Sequence, residues 1–468
     1  MSDEFDVIVI GGGPAGENAA WYARDNGLEV ALVERELVGG ECSYWACMPS
    51  KALLRPGEAL AAVRRVPGAA PAVTGDVDVA ATLRSRDSFS SNWDDKYQVQ
   101  WVESTGTTLV RGQGRLAGDR TVEVTTEDGT VRTLTARRGV VVATGSSAAI
   151  PPVEGLRDIS VWDSRDITTA KEVPARLLVL GGGVVGVEMA QAFRRLGAEE
   201  VTVVEMADRL LATEEPFVGA QLRDAFEAEG ITVHVDAEAV RAERDGDGPV
   251  TLTLADGTEL VADELVVATG RRPNTGDLGL ETVGLEPGRS IATDDQLRAT
   301  GVDGGWLYAV GDVNGRALLT HHGKYQARLV GDHLAGEQVE ARADHQAVVR
   351  VVFTDPQVAA VGLTLAAARE QGLDVEALTY GVGDVAGAAL LGKGVSGTAQ
   401  LVVDRMDREA RTIVGATFTG PGVGEMIHAA TIAIVSGITL DQLWHAVPAF
   451  PTISEVWLRL LEADRGIS

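Results

Sequence analysis

A chain of 468 residues carrying 68 acidic against 41 basic side chains has a formal charge of −27, which disfavours nucleic acid and anionic membrane surfaces as partners. Its length suits about three domains of ordinary size, each with its own core. The composition is globular, with no apolar run long enough to span a bilayer, and the acidic start Met1-Ser2-Asp3-Glu4 is unlike a signal peptide, so a cytoplasmic protein is expected.

In chain order, residues 6–10 (Asp-Val-Ile-Val-Ile) read as a buried strand running into Gly11-Gly12-Gly13-Pro14-Ala15-Gly16. A helical stretch from Glu17 to Asn26 follows, then a strand from Glu29 to Val33 ending in Glu34. This is the strand, Gly-x-Gly-x-x-Gly, helix, strand, acid unit of a dinucleotide-binding fold. Gly11 permits the tight turn, Gly13 lets backbone approach a pyrophosphate, Gly16 permits close helix packing, and Glu34 accepts from ribose hydroxyls.

Residues 39–51, Gly-Gly-Glu-Cys-Ser-Tyr-Trp-Ala-Cys-Met-Pro-Ser-Lys, hold the chain's only two cysteines, Cys42 and Cys47. Thiols so spaced can close a small disulfide ring. Cys47 sits at a predicted helix start, where the dipole and unpaired N–H groups favour thiolate. Pro49 suits the first turn because its missing N–H had no partner there. Zinc would need about four N or S ligands, and no second Cys pair or close His cluster exists. The plainer alternative is two unrelated buried cysteines.

Residues 52–104 read as helices with a Pro/Gly/Ala-rich break over 66–75, and 107–142 alternate like hairpins with turns at Gly118-Asp119 and Asp128-Gly129. That region ends in Ala143-Thr144-Gly145. The pattern then repeats: a strand over 176–180, Gly181-Gly182-Gly183-Val184-Val185-Gly186, a helix through Leu196, and a strand over 200–204 ending in Glu205. A second Ala268-Thr269-Gly270 closes it. A repeat of about 140 residues is too long for a solenoid and fits duplicated nucleotide domains, with Ile150-Pro151-Pro152-Val153 between the copies. The acid at Glu205 favours NADH over NADPH, although Arg209 is close enough in sequence to meet a 2′-phosphate. Beyond Trp306–Asp312, which ends a strand in Gly311-Asp312, the pattern from Asp344 becomes α+β. Strands fall near 350–353, 398–404 and 412–418, with helices at 364–371, 422–436 and 453–463.

With both glycine units, both Ala-Thr-Gly turns, Ala309-Val-Gly-Asp312 and Gly-Gly-x-Cys-x4-Cys-x-Pro-Ser-Lys, the whole chain resembles the class I flavoprotein disulfide reductases, the family of dihydrolipoamide dehydrogenase, glutathione reductase and mercuric reductase. Val352-Phe-Thr-Asp-Pro356 and Gly424-Glu-Met-Ile427 are similar to its dimerisation domain. The resemblance implies an α/β fold: an FAD-binding domain from residues 1–150 and 271–343, an NAD(P)-binding domain from 151–270, and an α+β dimerisation domain from 344–468. FAD is expected against the first glycine loop (Gly11, Gly13, Pro14, Ala15, Gly16), Glu34, Arg35 and Gly40. It is also expected against Gly114, the turn Ala143-Thr144-Gly145, Gly311-Asp312 and Leu319-Thr320-His321. The nicotinamide nucleotide is expected at Gly181, Gly183, Val184, Val185, Gly186, Glu205 and Gly270.

The resemblance further implies a redox-active disulfide, Cys47 being the thiol that meets the flavin and Cys42 the one that meets substrate. Lys51 is implied near flavin N5, paired with Glu188. One departure stands out. Family members that reduce disulfides usually end in His-Pro-Thr-x-x-Glu, the His being an acid/base across the dimer interface. Here the run is Phe450-Pro451-Thr452-Ile453-Ser454-Glu455, so the carboxylate Glu455 remains while the proton carrier is replaced. His445 is a possible deputy, and Tyr44 and Trp45 either face substrate or fill core. Three functions stay open: a homodimeric NAD(P)H enzyme reducing a disulfide or related acceptor through Cys42–Cys47; a reductase passing electrons straight from flavin to a quinone, dye or metal ion; and a redox-sensing flavoprotein.

Overall fold

The computed structural model describes residues 3–406 and 411–467, which form two compact units. The first comprises Met1–Pro49, Arg86–Ala149 and Arg271–Asp344; the second comprises Ser50–Ser85, Ile150–Gly270 and His345–Ser468. The division falls after Pro49, within the helix Cys47–Arg65.

In the first unit the strand Glu4–Ile10 lies between Val30–Glu34 and Val131–Val142, parallel to both. Such strands, covered on both faces, need near-continuous apolar sequence. Val7, Ile8 and Val9 are accordingly fully buried, Val7 and Val9 in one core cluster and Phe5, Ile8 and Ile10 in the other. The long strand Val131–Val142 serves twice. Its first half pairs antiparallel with Thr121–Thr125, its second half pairs parallel with Glu4–Ile10, and Leu307–Ala309 lies on its other edge. Thr108–Arg111 pairs parallel with Val30–Glu34, so it is a further strand of the nucleotide-binding sheet and not the hairpin arm read from local alternation.

The second unit repeats the pattern with a parallel sheet ordered Ile231–His234, Glu200–Val204, Arg176–Leu180, Glu264–Val267. Leu177 and Val179 face one cluster, Leu178 and Leu180 the other. The same unit carries an antiparallel five-stranded sheet ordered Val349–Val352, Gln357–Gly362, Ile413–Gly420, Thr398–Asp404, Val375–Gly381. Sequence reading found three of those strands and missed Gln357–Gly362 and Val375–Gly381. Among the described residues, no helix is long and apolar enough to cross a membrane.

Candidate functional site

The two glycine loops superpose in their logic. Gly11 and Gly181 have φ of +102° and +114°, and a Cβ on either would come within 2.4 and 2.5 Å of the carbonyl oxygens of Ala143 and Ala268. A side chain there would collide with backbone, so the turn requires glycine. Gly16 and Gly186 sit so close to the preceding strand that a Cβ would lie 1.7 and 1.9 Å from the oxygens of Gly11 and Gly181. The helices Pro14–Asp25 and Val184–Arg195 start without a side-chain cap, leaving first-turn N–H groups for an anion. Each strand-end acid is then locked onto its loop. Glu34 accepts from the N–H of Gly12 (2.6 Å) and of Glu36 (2.6 Å); Glu205 accepts from Gly182 (2.6 Å) and Ala207 (2.7 Å). Arg209 donates to Asp208 and to the Ala212 carbonyl, both at 2.8 Å, so its terminal nitrogens are engaged away from Glu205.

Around the first loop the other expected residues gather within one unit. Gly40 packs against Gly13, where a Cβ would meet the Gly13 Cα at 2.7 Å. Gly114 lies over Ile10 and Val33, and Arg35 donates to Gln113 (3.2 Å). Thr144 exchanges hydrogen bonds with Asn274 (2.9 Å each); Gly145 and Gly270 both turn at positive φ. Asp312 accepts from Ser146 (2.5 Å) and lies 3.8 Å from Arg271. Ala15 packs against Gly311 and Gly323, a Cβ on either coming within 3.1 Å of the Ala15 Cβ, which brings the helices Pro14–Asp25 and Thr320–Ala335 close together. Leu319 precedes the second helix, and Thr320 and His321 form its first turn. In the second unit, Gly183 has open space where a Cβ would stand and Val184 is exposed beside half-buried Val185. The donor sets, the collision-limited turns and the open backbone fit two dinucleotides, one per loop.

Cys42 lies in the short helix Gly40–Tyr44, and Cys47 is the first residue of Cys47–Arg65. Both are half-buried thiols. Donation of its S–H to Cys47, with burial second, holds the Cys42 thiol well above the ordinary cysteine range; Thr320 and the charge of Lys324 oppose that. The Cys47 Sγ is 3.3 Å from the Thr320 hydroxyl, which ties the thiol pair to the start of the Thr320 helix. Tyr44 is fully buried with its hydroxyl donating to the Val38 carbonyl (2.9 Å), so of its two readings the core one holds; Trp45 stands edge-on against it at 5.6 Å.

In the second unit Lys51 pairs with Glu188 at 2.7 Å, its ammonium 4.9 Å from the centre of the Phe353 ring. Glu188 is 2% exposed and also accepts from the Phe353 N–H (2.9 Å). Glu455 is buried, with one oxygen accepting from Arg459 (2.7 Å) and the other without a hydrogen-bond partner. Phe450 is 75% exposed, and His445 is exposed just beyond the helix Leu440–Leu443. Among the described residues, no group of three or more His, Cys, Asp or Glu is placed to hold a metal ion.

Sequence reasoning missed one feature here. Glu17, Asn18, Tyr97, Gln98, Trp101 and Lys324 line a pocket of about 360 Å³ in the first unit. Glu17 directly follows the last glycine of the loop and reads in sequence as an ordinary first-turn acid. Its significance arises only from the neighbours that folding supplies.

A family model described as pyridine nucleotide-disulphide oxidoreductase matches residues 5–327, and one described as its dimerisation domain matches 348–460. A mercuric reductase of Streptomyces lividans is 35% identical over 94% of this chain and 93% of its own. A dihydrolipoyl dehydrogenase of Chlorobaculum tepidum is 34% identical over 97% and 96%. The crystal structure of LpdA from Mycobacterium tuberculosis superposes with a TM-score of 0.85 at 26% identity, over 98% of this chain and 99% of that one.

Proposed function

The chain belongs to the FAD-dependent pyridine nucleotide-disulphide oxidoreductase family, and on that premise we propose that it is a homodimeric cytoplasmic enzyme oxidising NADH and reducing a disulfide or related small acceptor through Cys42 and Cys47. Bound FAD supplies two-electron transfer between the nicotinamide and the thiol pair. The observation that carries the reading is the contact between Cys47 and Thr320, within the unit that also holds the first glycine loop and Asp312. The N-terminal dipole of the Cys47 helix favours thiolate at that sulfur. Cys42, half-buried and donating to Cys47, keeps its proton in the reduced pair and is the sulfur assigned to substrate.

Lys51, one helical turn beyond Cys47, is held in place by Glu188, and it is assigned the positive charge that favours electron uptake by the flavin. The first loop, with Glu34, Arg35, Gly40, Gly114, Thr144 and Asp312, is assigned to FAD; the second, with Glu205 and Gly270, to NADH. A preference for NADH follows from Glu205 accepting backbone N–H groups with no ion pair among the described residues, while Arg209 is engaged elsewhere. Exposed apolar side chains in the C-terminal region, among them Ile432, Val435, Val447 and Phe450, support burial against a second copy.

Phe450 favours a second reading, direct electron transfer from flavin to a quinone, dye or metal ion, since phenylalanine cannot take a proton from an attacking thiol. Replacing Cys42 separates the two. On the first reading Cys42→Ser abolishes NADH-driven lipoamide reduction, and NADPH serves the wild-type enzyme more poorly than NADH. Lipoamide turnover surviving in Cys42→Ser, or a preference for NADPH, would contradict it; wild-type activity confined to quinones and surviving in Cys42→Ser would establish the second.

A further inference from the structure

Disulfide reduction through Cys42 needs a group that takes its proton and returns one to the departing sulfur, and Phe450 cannot be that group. A carboxyl is buried in the same unit as the thiols. Glu17, on the first turn of Pro14–Asp25, has one oxygen fully buried with no hydrogen-bond partner. It lines the pocket with Lys324, which lies on the helix Thr320–Ala335. The close approach of Ala15 to Gly323 fixes that geometry, because each is within two residues of one member of the pair. Gly13, one turn before Glu17, packs on Gly40, two residues before Cys42, where a Cβ would meet the Gly13 Cα at 2.7 Å, and Thr320, one turn before Lys324, touches Cys47. The Lys324 charge accordingly lowers both the Glu17 carboxyl and the Cys42 thiol against the burial that raises them. Among the described residues, the other titratable groups set beside Glu17 are Tyr44, which the Glu17 charge helps to hold protonated, and Tyr97 from the helix Lys96–Ser104.

We propose that Glu17 is the proton carrier of the Cys42 thiol, working through the Glu17–Lys324 pocket in place of the histidine that Phe450 replaces. The proposal rests on the disulfide reading given above. Glu17 carboxylate takes the Cys42 proton as the Cys42 sulfur attacks one sulfur of the substrate; the Cys42–S bond forms and the substrate S–S bond breaks. The departing thiolate takes that proton back from Glu17 and leaves as a thiol. Cys47 thiolate then attacks the Cys42 sulfur, closing Cys42–Cys47 and expelling the second thiolate, which takes a proton that Glu17 has drawn from water in the pocket. The two electrons come from the thiol pair, previously reduced at the expense of NADH.

Burial moves the Glu17 carboxyl up to about 7, and the Lys324 charge holds it down, so the group gains and loses a proton with near-equal ease at neutral pH. That sets the sign of the test. The protein, loaded with FAD and reduced anaerobically with NADH, is alkylated with iodoacetamide across pH 5.5–9 (roughly two decades of proton activity either side of neutrality), and Cys42 labelling is followed by peptide mass spectrometry. The rate should climb through an inflexion near pH 7. Glu17→Gln should remove that inflexion, and lipoamide turnover should fall by about a hundredfold. Lys324→Met, which leaves the carboxyl in place, should move the inflexion to higher pH. An inflexion that persists in Glu17→Gln, or stays where it was in Lys324→Met, overturns the assignment. If NADH exposes no thiol that can be labelled in the wild-type protein, the disulfide reading itself has failed.

Discussion

At Phe450 this chain departs from what its own motif leads one to expect, while Glu455 keeps to it. The carboxylate has been kept, buried and held by Arg459 with one oxygen unpartnered, while the position before Pro451 carries an exposed aromatic ring. With Glu17 assigned as the proton carrier, an imidazole at 450 is redundant in the wild-type background, so Phe450→His should change lipoamide turnover little in a steady-state assay with NADH but should raise that of Glu17→Gln by about tenfold or more. A gain of that size in the wild-type background would mean that proton transfer there is not served by Glu17. At this scale legibility followed locality. Cys42, Cys47 and Lys51 share one short motif, and the glycine positions are set by turns only a few residues long. Glu17 and Lys324 are 307 positions apart in the chain, and neither carries a local mark distinguishing it from a solvated helix residue; only the packing of Ala15 on Gly323 brings them to one pocket.

Between residue and whole, the strand–loop–helix unit is built twice with the same tolerances, and that gives a paired prediction. A methyl group at Gly16 or Gly186 would stand less than 2 Å from a backbone oxygen, so the helix must back away from the loop. Gly16→Ala should therefore purify with little bound flavin, read as the ratio of visible to 280 nm absorbance. Gly186→Ala should keep its flavin and lose NADH-driven bleaching. The opposite assignment of losses would exchange the two nucleotides between the loops. The strands that could be read from sequence are those whose partners or patterns are strong, such as Thr398–Asp404, found to the residue. Val375–Gly381 has a mixed burial pattern, and Gln357–Gly362 is short, follows a proline and includes two alanines, so neither stands out by periodicity. Thr108–Arg111 was misread because its partner residues in Val30–Glu34 lie 77 positions back, and parallel pairing leaves no turn signal between partners.

At the scale of the molecule, a duplicated nucleotide architecture with a further antiparallel sheet carries the chemistry proposed above, in which electrons enter from a nicotinamide and leave through two sulfurs five positions apart. Everything assigned to Lys51, Glu188, Thr320 and Glu17 presumes that those sulfurs change oxidation state when NADH is supplied. The direct measurement is a thiol count. Protein purified in air is denatured and alkylated with and without prior anaerobic treatment with NADH, and the peptides bearing Cys42 and Cys47 are weighed. The account predicts both cysteines unlabelled before NADH and both labelled after it. Steady NADH oxidation with the labelling of Cys42 and Cys47 unchanged by NADH would contradict it.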